Sequence, residues 1–193
     1  MRLSRNTELA PPPLRIEGRT IIVKSIAYDD WLEWSTLRAA SRDFLAPWEA
    51  IWPIDALSET AFERRVRRAG QDWQSEDGYA FHIFDRLGGR LIGGIALSQV
   101  YRGISQHGTL GYWMGQQFAG KGYMTDAVSA LTNFAFTKLS LHRVHAACIP
   151  ENIASQKVLE KNGFLREGYA RRYLKIAGVW ADHYLYAKLA DDL

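Results

Sequence analysis

The chain has 193 residues, 24 of them lysine or arginine against 21 aspartate or glutamate, with 47% hydrophobic and 23% charged residues, which excludes a disordered chain. A domain of this length buries roughly 70% of its unfolded surface, so its core needs neither disulfides nor structural metal, and the lone Cys148 rules out an internal disulfide or a multi-cysteine metal site. A net charge of +3 is too small to announce a nucleic-acid partner, no apolar run approaches the roughly 18 residues that span a bilayer, and Met1 to Arg15 lacks a signal-peptide stretch, so a cytoplasmic protein is expected.

Pro11, Pro12 and Pro13 cannot continue a helix, so residues 1–15 read as an extended arm ahead of one domain spanning 16–193. The fold is expected to start with a strand at Thr20 to Ile26. A helix at Tyr28 to Ala40 follows, with Trp31, Trp34, Leu37 and Arg38 at helical spacing. Asp43 to Ile54, with two prolines and two tryptophans, reads as a packed loop. Ser58 opens a helix through Phe62, Val66 and Ala69 that is expected to stop at Gly70. Tyr79 to Phe84 and Leu91 to Val100 form a hairpin, and Gly108 to Met114 is a further strand. Apolar residues from Met124 to Ala135 recur at i, i+3, i+4 and i+7, giving an amphipathic helix that ends near Leu139. Arg143 to Ile149 is a buried strand, and Asn152 caps a helix that ends at Asn162 and Gly163. Strands at Phe164 to Arg172 and Val179 to Leu189 complete the chain. The order implies a mixed α/β domain, a sheet with helices packed on it.

Gly115 to Gly122 reads Gly-Gln-Gln-Phe-Ala-Gly-Lys-Gly and lies between a strand and a helix. Glycines let backbone N–H groups approach an anion, and the helix dipole favours negative charge there. Read as Gly115, four residues, Gly120 and Lys121, the segment nearly makes a nucleotide P-loop, but Gly122 stands where the metal-binding Ser or Thr belongs. Without that hydroxyl, and without an acidic strand end downstream, a nucleotide hydrolase is set aside.

Read as Gln117-x-x-Gly120-x-Gly122, the loop resembles the pyrophosphate loop of the GCN5-related N-acetyltransferases (GNAT). Asn152-Ile-Ala-Ser155 through Gly163-Phe164 resembles that family's second signature, and the resemblance spans about residues 20–190. Arg42 to Glu49, Arg102-Gly103, Gly111-Tyr112, Gly168-Tyr169 and Gly178-x-Trp180-x-Asp182-His183 are similar to the RimJ/RimL-type ribosomal-protein alanine N-acetyltransferases. The resemblance implies a twisted sheet whose central parallel strands splay apart to admit acetyl-CoA, used as cosubstrate without metal. By the same resemblance, Trp113, Met114, Gln117, Phe118, Ala119, Gly120, Lys121, Gly122, Tyr123, Asn152 and Ser155 bind it.

By the same resemblance Ser155 is a catalytic candidate as proton donor to the departing thiolate, in preference to helix capping, whereas for Asn152 capping alone fits as well as cofactor contact. Glu49 is a candidate for reading a positive amine or relaying its proton, and an exposed loop acid without a role fits it as well. His142 and His145 leave opposite faces of a strand and suit structure better than metal, and Cys148 suits a small hydrophobe better than a nucleophile. Arg64, Arg65, Arg67 and Arg68 read as a solvated helix face.

No acidic base is evident, because Ala146, Ala147 and Cys148 occupy the strand before Asn152. An α-amine titrates near 7.7–8.0 and is roughly one-tenth neutral at pH 7, whereas a lysine near 10.4 is neutral in less than about a thousandth. The RimJ/RimL-type resemblance implies direct acetyl transfer to an N-terminal α-amine, with alanine of a ribosomal protein as the expected acceptor, and the titration argument favours such an amine over lysine. The alternatives are a small-molecule amine (antibiotic, polyamine or amino acid) as acceptor, or a non-catalytic acyl-CoA-binding module. The protein is expected to act as a monomer or homodimer, without a membrane or direct nucleic-acid contact.

Overall fold

A computed structural model describes residues 9–192. Eight strands form one mixed sheet in the order β1-β2-β3-β4-β5-β6-β8-β7. They are β1 (Arg15–Glu17), β2 (Ile21–Ser25), β3 (Tyr79–Asp85), β4 (Leu91–Tyr101), β5 (His107–Met114), β6 (Arg143–Cys148), β7 (Leu165–Ile176) and β8 (Val179–Leu189). The helices are α1 (Trp31–Ala40), α2 (Arg42–Leu45), α3 (Glu59–Gln74), α4 (Tyr123–Thr137) and α5 (Ile153–Lys161).

Alternation along the strands assigns the helices to faces. On β3, Phe81 meets Phe134 of α4 edge-on, while its neighbour His82 stacks against Phe62 of α3. Phe62 in turn packs on Trp34 of α1, ring centroids 4.9 Å apart. On β5, the Tyr112 hydroxyl reaches Ser155 of α5, while Trp113 lies against Arg38 of α1. Helices α1 and α3 therefore share one face, and α4 and α5 the other.

All neighbouring strands are antiparallel except β5 and β6, which α4 connects as a crossover. Their pairing covers only His107 to Thr109 against Arg143 to His145. Beyond it, β5 stays in register with β4 as far as Gly93 opposite Met114, and β6 stays with β8 as far as Cys148 opposite Tyr184. Each strand follows its outer partner, so the two separate, and the splay implied by the resemblance is present.

Several segment boundaries differ from expectation, among them the start of the first helix, where Tyr28–Asp30 forms a 3-10 turn before α1 begins at Trp31. Strand formation starts earlier, at Arg15 in β1, and Leu14 exchanges bonds with Ser25 through its N–H to Oγ and its carbonyl to the amide. Residues 1–8 of the expected arm lie outside the described residues, and in the rest Pro11 is buried while Ala10 and Leu14 pack against the core. Helix α3 runs through Gly70 to Gln74, because a Cβ at position 70 would collide with the Leu9 carbonyl: glycine serves close approach there rather than termination. Asp43 to Ile54 is not wholly loop, since it contributes to α2 and a 3-10 turn at Ala46–Trp48 in which Pro47 needs no donor. Strand β7 continues past Arg172 to Ile176 and pairs with β8 around a two-residue turn, Ala177 and Gly178, both at positive φ.

Asp126, in the first turn of α4, ties that helix to the β1–β2 turn by accepting from the Arg19 and Thr20 amides and the Thr20 hydroxyl. Partial burial works to raise its pKa, but the Thr20 and Arg19 bonds prevail and hold it below the usual aspartate value. A carboxylate lowered in the folded state stabilises above its unfolded pKa and loses that contribution as pH falls through the folded one. Asp126→Asn should therefore lower Tm at pH 7, and the gap from wild type should close as pH drops below about 4. Thermal unfolding followed by circular dichroism at pH 7, 5 and 3 checks this.

Candidate active site

After Met114 the backbone turns sharply, with the Gly115 amide donating to the Ile92 carbonyl and the Gln116 amide to Ser41 Oγ at 3.0 Å. Gly120 and Gly122 then take φ of 75° and 83°, and Gly122 is the N-cap of α4. A Cβ at either position would meet nothing within 4 Å, so the left-handed backbone, not crowding, calls for glycine there. The loop is open on its outer side. The first helical bond at this end runs from the Asp126 amide to the Gly122 carbonyl, which leaves the Tyr123, Met124 and Thr125 amides ahead of the ladder. Such a helix start has the geometry that suits an anion.

A cleft of about 740 Å³ runs from this turn through the gap between β5 and β6. It is lined by Gly120 to Thr125 except Lys121, by Leu110 to Met114, by Ala146 to Ile149, and by the start of α5. On the α1/α3 face it reaches Phe44, Leu45, Trp48 and Glu49, and at one rim Leu174, Ile176 and His183 of the β7–β8 hairpin. The volume is that of a small-molecule site, and the passage joins both faces of the sheet.

Most of the expected site residues meet in this cleft: Glu49, Trp113, Met114, Phe118, Ala119, Gly120, Gly122, Tyr123, Asn152 and Ser155 all line it. Gln117 and Lys121 do not; the Lys121 ammonium lies 5.8 Å from the centroid of the Phe118 ring. Lys157 and Lys161, one turn apart on α5, line it instead and supply cationic charge. Their i, i+4 spacing after Asn152 was visible in the sequence, but nothing local said which face of α5 meets the cleft.

Asn152 and Ser155 divide the two roles they could have shared. Asn152 Oδ1 accepts the Ser155 amide at 3.0 Å, which caps the helix, and Ser155 Oγ is left for the Tyr112 hydroxyl at 2.9 Å. Tyr112, whose role the sequence did not disclose, is thus the partner of the serine. Burial raises its phenol pKa well above the usual tyrosine value despite the Ser155 bond, so it stays protonated at working pH.

Glu49 is not a free loop acid. Its carboxylate accepts both Arg38 terminal nitrogens, at 2.8 and 2.6 Å, and Trp52 Nε1 at 2.8 Å. The Arg38 guanidinium lies 4.3 Å from the Trp52 ring centroid and 4.8 Å from that of Trp113, so the pair is clamped between aromatic rings. The Glu49 carbonyl also accepts the Ala177 amide, fastening this segment to the tip of the β7–β8 turn.

Cys148 lines the cleft, and burial pushes its thiol up to about 11 against a Ser155 hydrogen bond, so at neutral pH it is a thiol, not a thiolate. His145 stacks on His107 at 4.7 Å and accepts from Arg143 Nε, while His142 is exposed. Among the described residues no group of three or more ligating side chains could hold a metal ion. On α3, Arg64 pairs with Asp55 and Arg68 with Asp72, as a solvated face would.

Gly120→Val should weaken acetyl-CoA binding by about tenfold or more, because a branched side chain opposes the left-handed turn that aims the amides, at a stability cost of about 1–3 kcal/mol. Calorimetric titration of the folded variant, with circular dichroism as the control for folding, measures both effects.

Comparison with known proteins agrees with this geometry. The acetyltransferase (GNAT) domain family matches residues 21–165. A probable N-acetyltransferase of Bacillus subtilis, YjcK, is 37% identical over 92% of this chain and 98% of its own. The ribosomal protein uS5-alanine N-acetyltransferase of Escherichia coli is 30% identical over 94% of this chain and 93% of its own. Among solved structures, Mycobacterium smegmatis RimJ in complex with CoA-disulfide superposes with a TM-score of 0.85 at 30% identity, covering 94% of this chain and 88% of that one. On this evidence the chain belongs to the acetyltransferase (GNAT) domain family, with close likeness to ribosomal-protein N-acetyltransferases.

Proposed function

We propose that this protein transfers the acetyl group of acetyl-CoA directly to the α-amine of a protein N-terminus, with alanine of a ribosomal protein as the leading acceptor. The observation that carries the reading is the passage between β5 and β6, which joins the anion-binding turn on one face to the Glu49 and Trp113 region on the other. Donor and acceptor can then meet inside the sheet from opposite sides. The uS5-alanine enzyme named above, similar over most of both lengths, supports the choice of acceptor.

The cosubstrate supplies an activated thioester carbon. Gly120, Gly122 and the first amides of α4 hold its pyrophosphate, Lys157 and Lys161 add charge, and the open edge of β5 beyond Thr109 offers backbone donors to its acyl arm. As the amine nitrogen bonds to the acetyl carbon and the carbon–sulfur bond breaks, Ser155 Oγ gives its proton to the leaving sulfur and regains one through Tyr112, which passes on a proton from solvent and ends protonated. The proton lost by the amine goes to water. Glu49 is engaged by three donors and serves better to fix Arg38 and the acceptor wall than as a base. Glu151, the other carboxylate lining the cleft, is exposed. An amine that is partly neutral on arrival fits these surroundings, and an α-amine meets that condition far better than lysine.

Ser155→Ala should lower kcat by about 10²-fold with little change in acetyl-CoA affinity, and Tyr112→Phe should lower it less, since only resupply of the proton is lost. Steady-state kinetics on both variants test the relay, and wild-type turnover in Ser155→Ala would return that residue to packing. Mass spectrometry on an Ala-starting peptide with an internal lysine tests the acceptor. Acetate is expected on the first residue, at a rate that climbs with pH and levels off above about 8; acetate mainly on the lysine, or only on polyamines, contradicts the reading.

A further inference from the structure

Acetyl transfer leaves one proton without a protein group to receive it, the proton that the amine sheds as its nitrogen bonds to the acetyl carbon. Glu49 is held by Arg38 and Trp52, and Glu151 is exposed. Among the described residues, His183 is the only histidine lining the cleft, and it stands at the rim beside Leu174 and Ile176. Imidazole is the side chain most used for proton transfer near neutral pH.

Strand alternation places the ring. Cys148 and Tyr184 lie opposite each other on β6 and β8, and the Cys148 thiol bonds Ser155 on the α4/α5 face. His183 precedes Tyr184, so it leaves β8 on the α1/α3 face, the side of Glu49 and Trp113. Its ring meets Tyr173 edge-on at 5.8 Å between centroids, and packing leaves 3% of the residue exposed. One hydrogen bond decides the roles of the two ring nitrogens. Nδ1 lies 3.0 Å from the Ala181 carbonyl oxygen, which can only accept, so Nδ1 carries a proton and the neutral ring presents its lone pair at Nε2. Nε2 bonds no described residue, yet it is not sealed, because the buried side-chain atoms that lack both surface and partner belong to Trp34, Arg38, His82 and Thr132. The small surface that His183 keeps therefore includes Nε2, and it opens on the cleft.

We propose that His183 is the proton acceptor for the amine, with Nε2 receiving, through one water in the cleft, the proton that the nitrogen loses. The inference rests on the reading of the cleft as an acetyl-transfer site. The amine arrives neutral and becomes positive as its nitrogen bonds to the acetyl carbon. One N–H proton passes to the water, and a proton of that water passes to Nε2. The carbon–sulfur bond breaks and the sulfur takes its proton from Ser155, across the opening. The imidazolium then returns its proton to solvent at the rim, while Tyr112 gains one, so amine and thioester become amide and thiol with no net change in the protein. The Ala181 carbonyl serves the cycle twice: it fixes the tautomer before transfer, and it accepts from Nδ1 of the cation afterwards.

The test compares His183→Gln and His183→Asn with wild type. Glutamine sets an amide where Nε2 lies, which can hold a water but not take its proton, and asparagine keeps a donor for the Ala181 carbonyl while removing the Nε2 side of the ring. The acceptor is whichever amine the wild type acetylates fastest among an Ala-starting peptide, free alanine and spermidine. Both variants should bind acetyl-CoA within about twofold of wild type by calorimetry, with turnover about 10²-fold lower, and imidazole added to His183→Asn should raise its rate with concentration. Tm by circular dichroism is the check on folding, and should His183→Asn fail it, His183→Gln decides alone. Turnover within about threefold of wild type in folded His183→Gln overturns the inference. A loss matched by an equal loss of acetyl-CoA affinity, or one that imidazole leaves untouched in folded His183→Asn, marks a packing role and overturns it as well. Should the wild type acetylate only spermidine and the variants lose that activity, the proton acceptor stands and the peptide acceptor falls. A wild type that acetylates none of the three overturns both.

Discussion

The structure depends on one constraint: β5 and β6 are bound to different outer partners and cannot follow both those partners and each other. Their parallel pairing ends at Thr109 and His145, while β5 keeps its register with β4 and β6 with β8 to their last residues. A sheet interior is usually closed by its own hydrogen bonds, so two strand edges left open in mid-sheet cost stability unless something completes them. The cleft lies along these edges, and a ligand with amide groups of its own would complete them.

The remaining parts of the site are placed relative to that gap. The crossover that makes β5 and β6 parallel must pass from the end of one to the start of the other, so the start of α4 comes beside the opening. Asp126 fastens that helix end to the β1–β2 turn by three bonds. On α5, the cap made by Asn152 leaves Ser155 Oγ free to meet Tyr112. On the opposite face the Arg38–Glu49 pair, held among tryptophans and tied through Glu49 to the β7–β8 turn, forms the wall of the opening. The Ser155–Tyr112 pair and the Arg38–Glu49 pair thus lie on opposite faces of one opening.

Elements with strong periodicity were legible in the sequence. The apolar repeat from Met124 to Ala135 gave α4, and apolar runs on either side of a turn gave the β3–β4 hairpin, because those patterns report burial directly. The glycines at 120 and 122 were legible as a left-handed turn because such a backbone leaves a compositional mark. Contacts between elements distant in sequence were less so. Gly70 looked like a helix stop because its real neighbour, the Leu9 carbonyl, lies far away along the chain. Tyr112 looked like a strand aromatic until β5 and α5 were set side by side. Glu49 looked exposed because no local signal announces that Arg38, on another helix, will reach it with both nitrogens. Lys121 drew notice from its place in the glycine loop, yet Lys157 and Lys161 line the cleft, a matter of helix phase that only packing sets.

The claim on which the rest depends, that the open edge of β5 is where the cosubstrate's acyl arm is held, is tested most directly by amide hydrogen exchange with and without acetyl-CoA. Protection should appear in the Leu110 to Met114 segment and at the start of α4, while Gly108 and Thr109, already paired with β6, should show little change. Binding of acetyl-CoA that left exchange across Leu110 to Met114 unaltered would contradict the account.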